Sequence, residues 1–190
     1  MQRKHKDLYY PPGGILLWMI IILELITFGV ALIVMVYYAK QDPRLFHDSR
    51  LQLNVAIGTT NTVLLLTSGF FMANTVTELR HKNNTTAQKY LITTMLFGIL
   101  FLVLKSLEYS SKIDAGLFLD TNTFFTFYWM LTLFHAIHVA VGLGLLSFIS
   151  IGIFGKNRNP IMEDIEAIAA FWHMCDLIWL LLFPVIYLIF

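Results

Sequence analysis

The chain has 190 residues, of which 57% are hydrophobic and only 13% are charged, and its formal net charge is +1. Soluble domains contain roughly 45–50% apolar and about 25% charged residues, so this composition favours an integral membrane protein, as does the mean hydropathy of +0.70. The near-neutral charge, without a basic block, gives no indication of nucleic-acid binding. The only cysteine, Cys175, lies in an apolar stretch, so no disulfide can form within the chain.

The N-terminal segment predicts a cytoplasmic tail over residues 1–14 that leads directly into a membrane span. About 25 apolar residues follow the basic tail, which is too long for the hydrophobic region of a cleavable signal peptide, and no small-residue cleavage site is visible. We therefore expect this apolar run to remain as the first transmembrane helix.

Five apolar stretches are long enough to cross a bilayer, which needs roughly 20 helical residues. The predicted spans are 15–39, 53–77, 89–110, 123–154 and 165–190. The fold class expected is all-α, a polytopic five-helix bundle that forms a single domain over 15–190. Short connections rich in turn residues separate the spans, and the first of them, "QDPRLFHDSR", is expected to be a loop. Consecutive spans should therefore be antiparallel neighbours.

The distribution of lysine and arginine predicts the orientation in the membrane. The tail and the second and fourth connections carry eight such residues, and the other side of the membrane carries four. Because cytoplasmic loops are enriched in these residues, we expect the N-terminus inside and the C-terminus outside. Lys105 is left within a predicted helix.

Each predicted helix also carries polar or small residues spaced three, four or seven positions apart, which places them on one side of the helix. These stripes are Glu24 and Thr27; Asn54, Gly58, Asn61 and Ser68; Thr94, Gly98, Lys105 and Glu108; Tyr128, Thr132, His135, His138 and Gly142; and Glu166, His173 and Asp176. A charged residue at the centre of a span costs about 2.5–3.5 kcal/mol on insertion scales, so the stripes should face one another.

Pairings follow from the same reasoning. Lys105 and Glu108 are one turn apart and should neutralise each other. His135, His138, His173 and Asp176 should find partners among themselves across the fourth and fifth spans. Gly142 and Gly144 should allow close helix approach, and Pro184 should kink the last span.

These polar residues allow four interpretations. Interhelical hydrogen bonding is favoured, and a proton-relay role for Glu24 or Glu108 is the main functional alternative. His135, His138 and His173 with a carboxylate have ligand types suited to zinc or iron. Haem is disfavoured because histidines three apart on one helix cannot hold both faces of one iron.

Two strings carry a family resemblance: "FHAIHVAVGL" at 134–143 and "EAIAAFWHMCDLIWLLLFPVIYL" at 166–188. They resemble the last two helices of subunit III of haem–copper oxidases, in which a helix with two histidines three apart precedes one with Glu, Trp-His, Asp and Trp. "LQLNVAIGTTNTVLLLTSG" and "KSLEY" resemble that family's next two segments. Glu24, in "LWMIIILELITFGVAL", occupies the place of the family's carbodiimide-reactive membrane glutamate.

The resemblance points to a short bacterial form. Many members have two further N-terminal helices that form a lipid-holding cleft, whereas this sequence starts at the five-helix core. The stretch from "KSLEYSSKIDAG" to "TNTFFTFYW" is similar to the subunit-III-like proteins associated with bacterial nitric oxide reductases. The resemblance thus leaves two alternatives for the complex to which the chain belongs, a terminal oxidase that reduces oxygen or a nitric oxide reductase of denitrification, and it favours the second.

The resemblance also implies a role. Subunit III holds no haem or copper itself; it packs against a catalytic, haem-bearing subunit in the bacterial inner (plasma) membrane and supports its assembly, stability and proton uptake. Haem and metal centres are expected in that partner, and phospholipid is the one ligand expected here. Glu24 and Glu108 are the candidate protonatable residues. The expected interhelical polar core is Lys105, His135, His138, Glu166, His173, Asp176 and Trp179. The competing hypotheses are a stand-alone proton-coupled transporter and a membrane metalloprotein.

Overall fold

The computed structural model describes residues 14–154 and 162–190, and both ranges are helical apart from short connections. The helices are α1 Gly14–Gln41, α2 Pro43–Leu51, α3 Val55–Arg80, α4 Asn84–Asp114, α5 Thr123–Phe154 and α6 Met162–Pro184, followed by a π-helical segment Val185–Ile189. These ranges contain no strand, which confirms the all-α prediction. The predicted tail up to residue 13, and residues 155–161 with Lys156 and Arg158, lie outside the described residues.

Five helical stretches are long and apolar enough to cross a membrane, as predicted, so the protein is a multi-pass membrane protein. They are Gly14–Gln41, Val55–Arg80, Asn84–Asp114, Thr123–Ile151 and Met162–Ile189. The third differs most from the expected 89–110, because α4 continues through polar residues at both ends. Polar side chains do not stop a helix that leaves the hydrocarbon region, since water and headgroups solvate them there.

The first connection is helical, which corrects its prediction as a loop. Asp42 caps α2 by accepting a hydrogen bond from the Leu45 backbone N–H at 3.1 Å, and Pro43 occupies the first turn, where its missing N–H costs nothing. Phe46 and Ser49 on its inner side are buried. Helix α2 therefore packs across one end of the bundle, called here the α2 end.

Asn54 also differs from its prediction as part of a polar stripe inside the second span. It precedes α3 as the N-cap, and its side-chain oxygen accepts from the N–H groups of Ala56 and Ile57 at 3.0 and 3.3 Å. A short amide side chain is well suited to this position because it satisfies donors that the helix leaves unpaired.

Helix α6 is the most enclosed of the five spans and packs against α1, α3 and α5. The main contacts of α1 are with α5 and α6, so consecutive spans are not all neighbours as expected. Gly98 and Gly142 flank the ring of Trp172, and a Cβ at either position would approach that ring to 2.7 and 2.9 Å. Gly142 therefore allows the close approach that was predicted, whereas Gly144 has no neighbour within 4 Å and does not.

The last span changes its helical geometry at Pro184. The α-helix ends there and the wider π-helical turn begins at Val185, because proline provides no N–H for the α-helical ladder. Tyr187, in the middle of this turn, is fully buried in the bundle.

Candidate functional site: buried polar clusters between the helices

The most enclosed polar group of the bundle is an ion pair on α4. Lys105 Nζ lies 3.0 Å from Glu108 Oε2, and both side chains are 1% exposed. Tyr187 donates from its hydroxyl to Glu108 Oε1 at 2.7 Å, and Lys105 donates to the same hydroxyl at 2.8 Å. Three groups from α4 and the π-helical segment thus form a closed ring of hydrogen bonds, called here the Lys105 cluster.

Aromatic rings surround the ammonium of the Lys105 cluster. Lys105 Nζ lies 4.9–5.5 Å from the ring centres of Tyr109, Tyr128, Trp179 and Tyr187. The negative faces of these rings attract a cation, and one carboxylate balances its charge. The sequence predicted the Lys105–Glu108 contact, and the structure adds the aromatic enclosure.

The α2 end closes over this cluster with further cations. Arg50 donates from a guanidinium nitrogen to the Tyr187 carbonyl oxygen at 3.3 Å, and Lys112 donates to the carbonyl of Gln52 just after α2. The Tyr187 carbonyl is available to α2 because it lies in the last turn of the π-helical segment, where the final carbonyl groups have no partner within the helix. These bonds fix α2 to the end of α4 and to the π-helical segment.

His135 is fully buried in an aromatic environment without a hydrogen bond. Its ring stacks on Trp179 with centroids 5.3 Å apart and meets Phe101 edge-on at 5.7 Å. Neither ring nitrogen has a hydrogen-bond partner within the described ranges. The expected polar partner for His135 is therefore replaced by stacking.

His138, one turn further along α5, faces α1. Its Nε2 lies 3.5 Å from Glu24 Oε1, and Nδ1 is 2.8 Å from the Phe134 carbonyl oxygen. The two side chains are 14% and 18% exposed, and Glu24 Oε2 is buried without a partner in the part of the chain that the structure describes. This pair links α1 to α5 and places the candidate protonatable residue Glu24 next to a second titratable group.

His173 and Asp176 pair within α6, with Nδ1 of the histidine 3.3 Å from Oδ2 of the aspartate. The expectation that these two would bind His135 and His138 across helices is therefore wrong. Histidines three residues apart on α5 point to different neighbours, one to the aromatic core and one to α1. The carboxylate of Asp176 lies directly against Gly69 of α3.

Two tryptophans of α6 bind α3 through their indole N–H groups. Trp172 donates to Ser68 Oγ at 3.2 Å, and Ser68 donates in turn to the Thr94 carbonyl of α4 at 2.8 Å. Trp179 donates to Thr62 Oγ1 at 2.9 Å. These bonds connect three helices through groups that lipid could not satisfy.

Glu166 lies at the opposite end of the bundle from α2. Arg80 donates to its Oε1 at 2.8 and 3.2 Å, which joins the end of α3 to the start of α6. Because the arginine side chain is 62% exposed, this pair contributes little to stability.

The described residues include no group of three or more His, Cys, Asp and Glu side chains placed to hold a metal ion. His135, His138 and His173 occupy three separate surroundings rather than one, for the reasons given above. Instead, many of the polar side chains form contacts that join one helix to another.

Tyr187 is the member of the Lys105 cluster that sequence reasoning missed. A tyrosine near the end of a span is usually read as an anchor at the membrane interface. The available signal was Pro184, since the change of helical geometry it introduces precedes the turn that holds Tyr187 inside the bundle.

Comparison with known proteins identifies relatives of this chain. The family model described as cytochrome c oxidase subunit III matches residues 51–189. "Cytochrome c oxidase subunit 3" of Synechocystis sp. is 30% identical over 144 residues, which cover 73% of this chain and 59% of the relative. "Cytochrome bo(3) ubiquinol oxidase subunit 3" of Buchnera aphidicola is 30% identical over 67% of this chain and 62% of its own length.

A third relative differs in organisation. "Heme-copper oxidase subunit I+III" of Aeropyrum pernix is 24% identical over 181 residues, which cover 91% of this chain and 22% of the relative. The chain thus spans between 22% and 62% of the length of these three curated relatives. The family match includes the residues of the clusters described above except Glu24 and Arg50, which lie before residue 51.

Proposed function

The chain belongs to the cytochrome c oxidase subunit III family, and on this premise we propose that it is an accessory, non-catalytic subunit of a bacterial respiratory haem–copper complex. The family match over residues 51–189 carries the proposal. The partner is a haem-bearing membrane subunit that performs the electron transfer. The Aeropyrum pernix relative, whose name joins subunits I and III in one chain, supports a direct association of this kind.

The interior of the bundle supports a role in holding a complex together. Its buried polar side chains bind mainly to one another or to helix backbones, as in the Lys105 cluster and in the bond from Trp179 to Thr62. In lipid such bonds fix helix positions, because unpaired polar groups are costly there. A rigid bundle of this kind can act as a stable docking partner for a larger subunit.

The names of the relatives favour oxygen as the acceptor that the partner reduces. The association with nitric oxide reductase stays a prediction from the sequence around Lys105. We likewise propose that the N-terminus lies inside and the C-terminus outside, an orientation supported by the distribution of lysine and arginine.

Affinity purification tests the proposal directly. The tagged chain, solubilised from its native membrane in mild detergent with added lipid, is expected to bring down a large subunit with haem absorption bands. Oxygen and nitric oxide consumption by the eluate then identify the acceptor. A colourless protein recovered alone under these conditions would contradict the proposal.

The same preparation distinguishes the competing hypothesis of a stand-alone proton-coupled transporter. Reconstituted alone in liposomes, the chain is expected to move neither protons nor solutes. Flux from the chain alone would support the transporter. The structure does not favour it, because transporter sites are typically formed by helices that are broken near the middle, and no described span is broken there.

Glu24 provides a narrower test of proton supply. Glu24→Gln removes the titratable group but keeps the side-chain shape, so the amount of assembled complex should be unchanged while turnover per haem falls severalfold. The measurement is oxygen or nitric oxide consumption normalised to haem. Glu166→Gln, at the Arg80 pair, is the matched control and should leave turnover unchanged. Equal turnover of the Glu24 variant and the wild type would assign Glu24 to packing against His138.

A further inference from the structure

His173 differs from every other titratable side chain near the middle of a span. Its side chain is 44% exposed, whereas those of Glu24 and His138 are 18% and 14% exposed. Lys105 and Glu108 are 1% exposed. Within the described helices, His173 is thus the ionisable residue that the bundle itself leaves uncovered at mid-span.

The position of His173 along α6 makes this exposure costly. It lies 11 residues after Met162 and 16 before Ile189, the ends of the last candidate span. At about 1.5 Å per residue this is roughly 16 Å and 24 Å from the two ends of the span, so the imidazole lies well inside the span rather than at either end. Ionisable residues at such depth face protein or a water-filled cavity rather than lipid tails.

The ring has one nitrogen available. Nδ1 is bound to Asp176, which is itself held against Gly69 of α3, so the imidazole cannot turn inward. Nε2 makes no hydrogen bond within residues 14–154 and 162–190. Because the hydrogen bond at one ring nitrogen fixes the role of the other, the pair presents a hydrogen-bonding group of defined position at the bundle surface.

The exposed residues that follow His173 continue as a ridge along α6. Leu177, Leu180 and Leu181 lie four, seven and eight positions further on and are 46%, 40% and 43% exposed. This spacing keeps them on the same face of the helix. We refer to these four residues as the His173 ridge. A second transmembrane helix could pack along this ridge, with apolar side chains against the leucines and one polar side chain opposite His173.

We propose that a transmembrane helix of the haem-bearing subunit covers the His173 ridge and places a hydrogen-bonding side chain opposite Nε2 of His173. This inference rests on the proposed function, because it assigns the docking face of the same partner. Lipid and a second copy of this chain are the other occupants, and the experiments below are designed to separate them. Lipid tails offer Nε2 no partner, which favours a protein.

Photocrosslinking in the native membrane tests the occupant. A photoreactive amino acid replaces Leu177, which keeps His173 and its pairing intact. Val103, on α4 and 49% exposed, is the control. The position of Leu177 is expected to give an adduct with the haem-bearing subunit, and that of Val103 only adducts with lipid. Adducts of Leu177 with lipid only, or with a second copy of this chain, would overturn the proposal.

A steric variant gives an independent readout. Leu177→Trp adds bulk to an exposed position, so the isolated chain should fold as before, but the docked helix would be displaced. The haem recovered per tagged subunit is expected to fall about tenfold, as overpacking at an interface implies, while Val103→Trp leaves it unchanged. Unchanged recovery with Leu177→Trp would overturn the proposed docking face.

The outcomes separate this inference from the proposed function. If the wild-type chain brings down no haem-bearing subunit, the proposed function fails and the inference with it. If the wild type does so and Leu177 still gives lipid adducts alone, only the docking face is wrong.

Discussion

Glu108→Leu is expected to destabilise the protein by about 3–5 kcal/mol, because it leaves the buried ammonium of Lys105 without its counter-charge. The pair is enclosed by aromatic rings and is 1% exposed, so water cannot replace the lost carboxylate. The hydroxyl of Tyr187 loses its acceptor at the same time. The measurement is the free energy of unfolding in mixed micelles, titrated with a denaturing detergent.

Removing the whole Lys105 cluster should restore most of this loss. In the variant Lys105→Met, Glu108→Leu and Tyr187→Phe, no charge or hydroxyl of the ring remains unpaired, and apolar side chains of similar size fill the space. Replacing a complete buried ion pair in this way is often neutral or stabilising, unlike breaking it.

A matched control tests whether burial decides the size of this loss of stability. Glu166→Leu also removes a carboxylate from an ion pair, but its partner Arg80 is 62% exposed. The cost there should stay below about 1 kcal/mol. A loss for Glu108→Leu as small as that for Glu166→Leu would show that Lys105 finds another solution, and the cluster would not be a main source of stability.

The five spans were predictable because membrane insertion depends on hydropathy over about 20 residues, which the sequence displays directly. Helix α2 was missed for the same reason. It has nine residues and is polar on its outer side, so a reading based on apolar length treats it as a loop. The signals present were Asp42 and Pro43, a local capping pattern that does not depend on hydrophobicity.

Of the two ion pairs within one helix, Lys105–Glu108 was predicted and His173–Asp176, which has the same spacing, was not; the contacts between helices were not predicted either. Lys105 and Glu108 are three residues apart, so helical geometry alone brings them together. The partners of His135 and His138 depend instead on which helices pack side by side. The sequence suggested that consecutive spans are neighbours, but α1 packs on α5 and α6, which gives His138 the carboxylate of Glu24.

The roles of the glycines also depend on which helices pack side by side, which the sequence did not predict. Gly142 and Gly144 were expected to act alike, but residues two apart lie on nearly opposite sides of a helix. Gly142 meets Trp172, while Gly144 faces open space. Gly69 was not singled out at all, because its importance comes from Asp176, a residue more than a hundred positions away in the sequence.

Gly69→Ala is expected to destabilise the contact between α3 and α6 by about 1–3 kcal/mol. A Cβ at this position would overlap Oδ2 of Asp176 and would lie 3.2 Å from the carboxyl carbon and 3.4 Å from Nδ1 of His173. The carboxylate would have to move away from α3, although it is buried and bound to His173. The expected result is a lower free energy of unfolding in mixed micelles.

Gly144→Ala is the matched control, since Gly144 also lies within a span but has nothing within 4 Å of an added Cβ. Alanine favours the helix over glycine by roughly 0.5–1 kcal/mol, so this variant should be neutral or slightly more stable. Combining Gly69→Ala with Asp176→Ala should recover part of the loss, because the shorter side chain makes room for the new methyl group. If Gly69→Ala were as stable as Gly144→Ala, the close approach of α3 to the His173–Asp176 pair would be wrong, and the imidazole would be free to turn into the bundle.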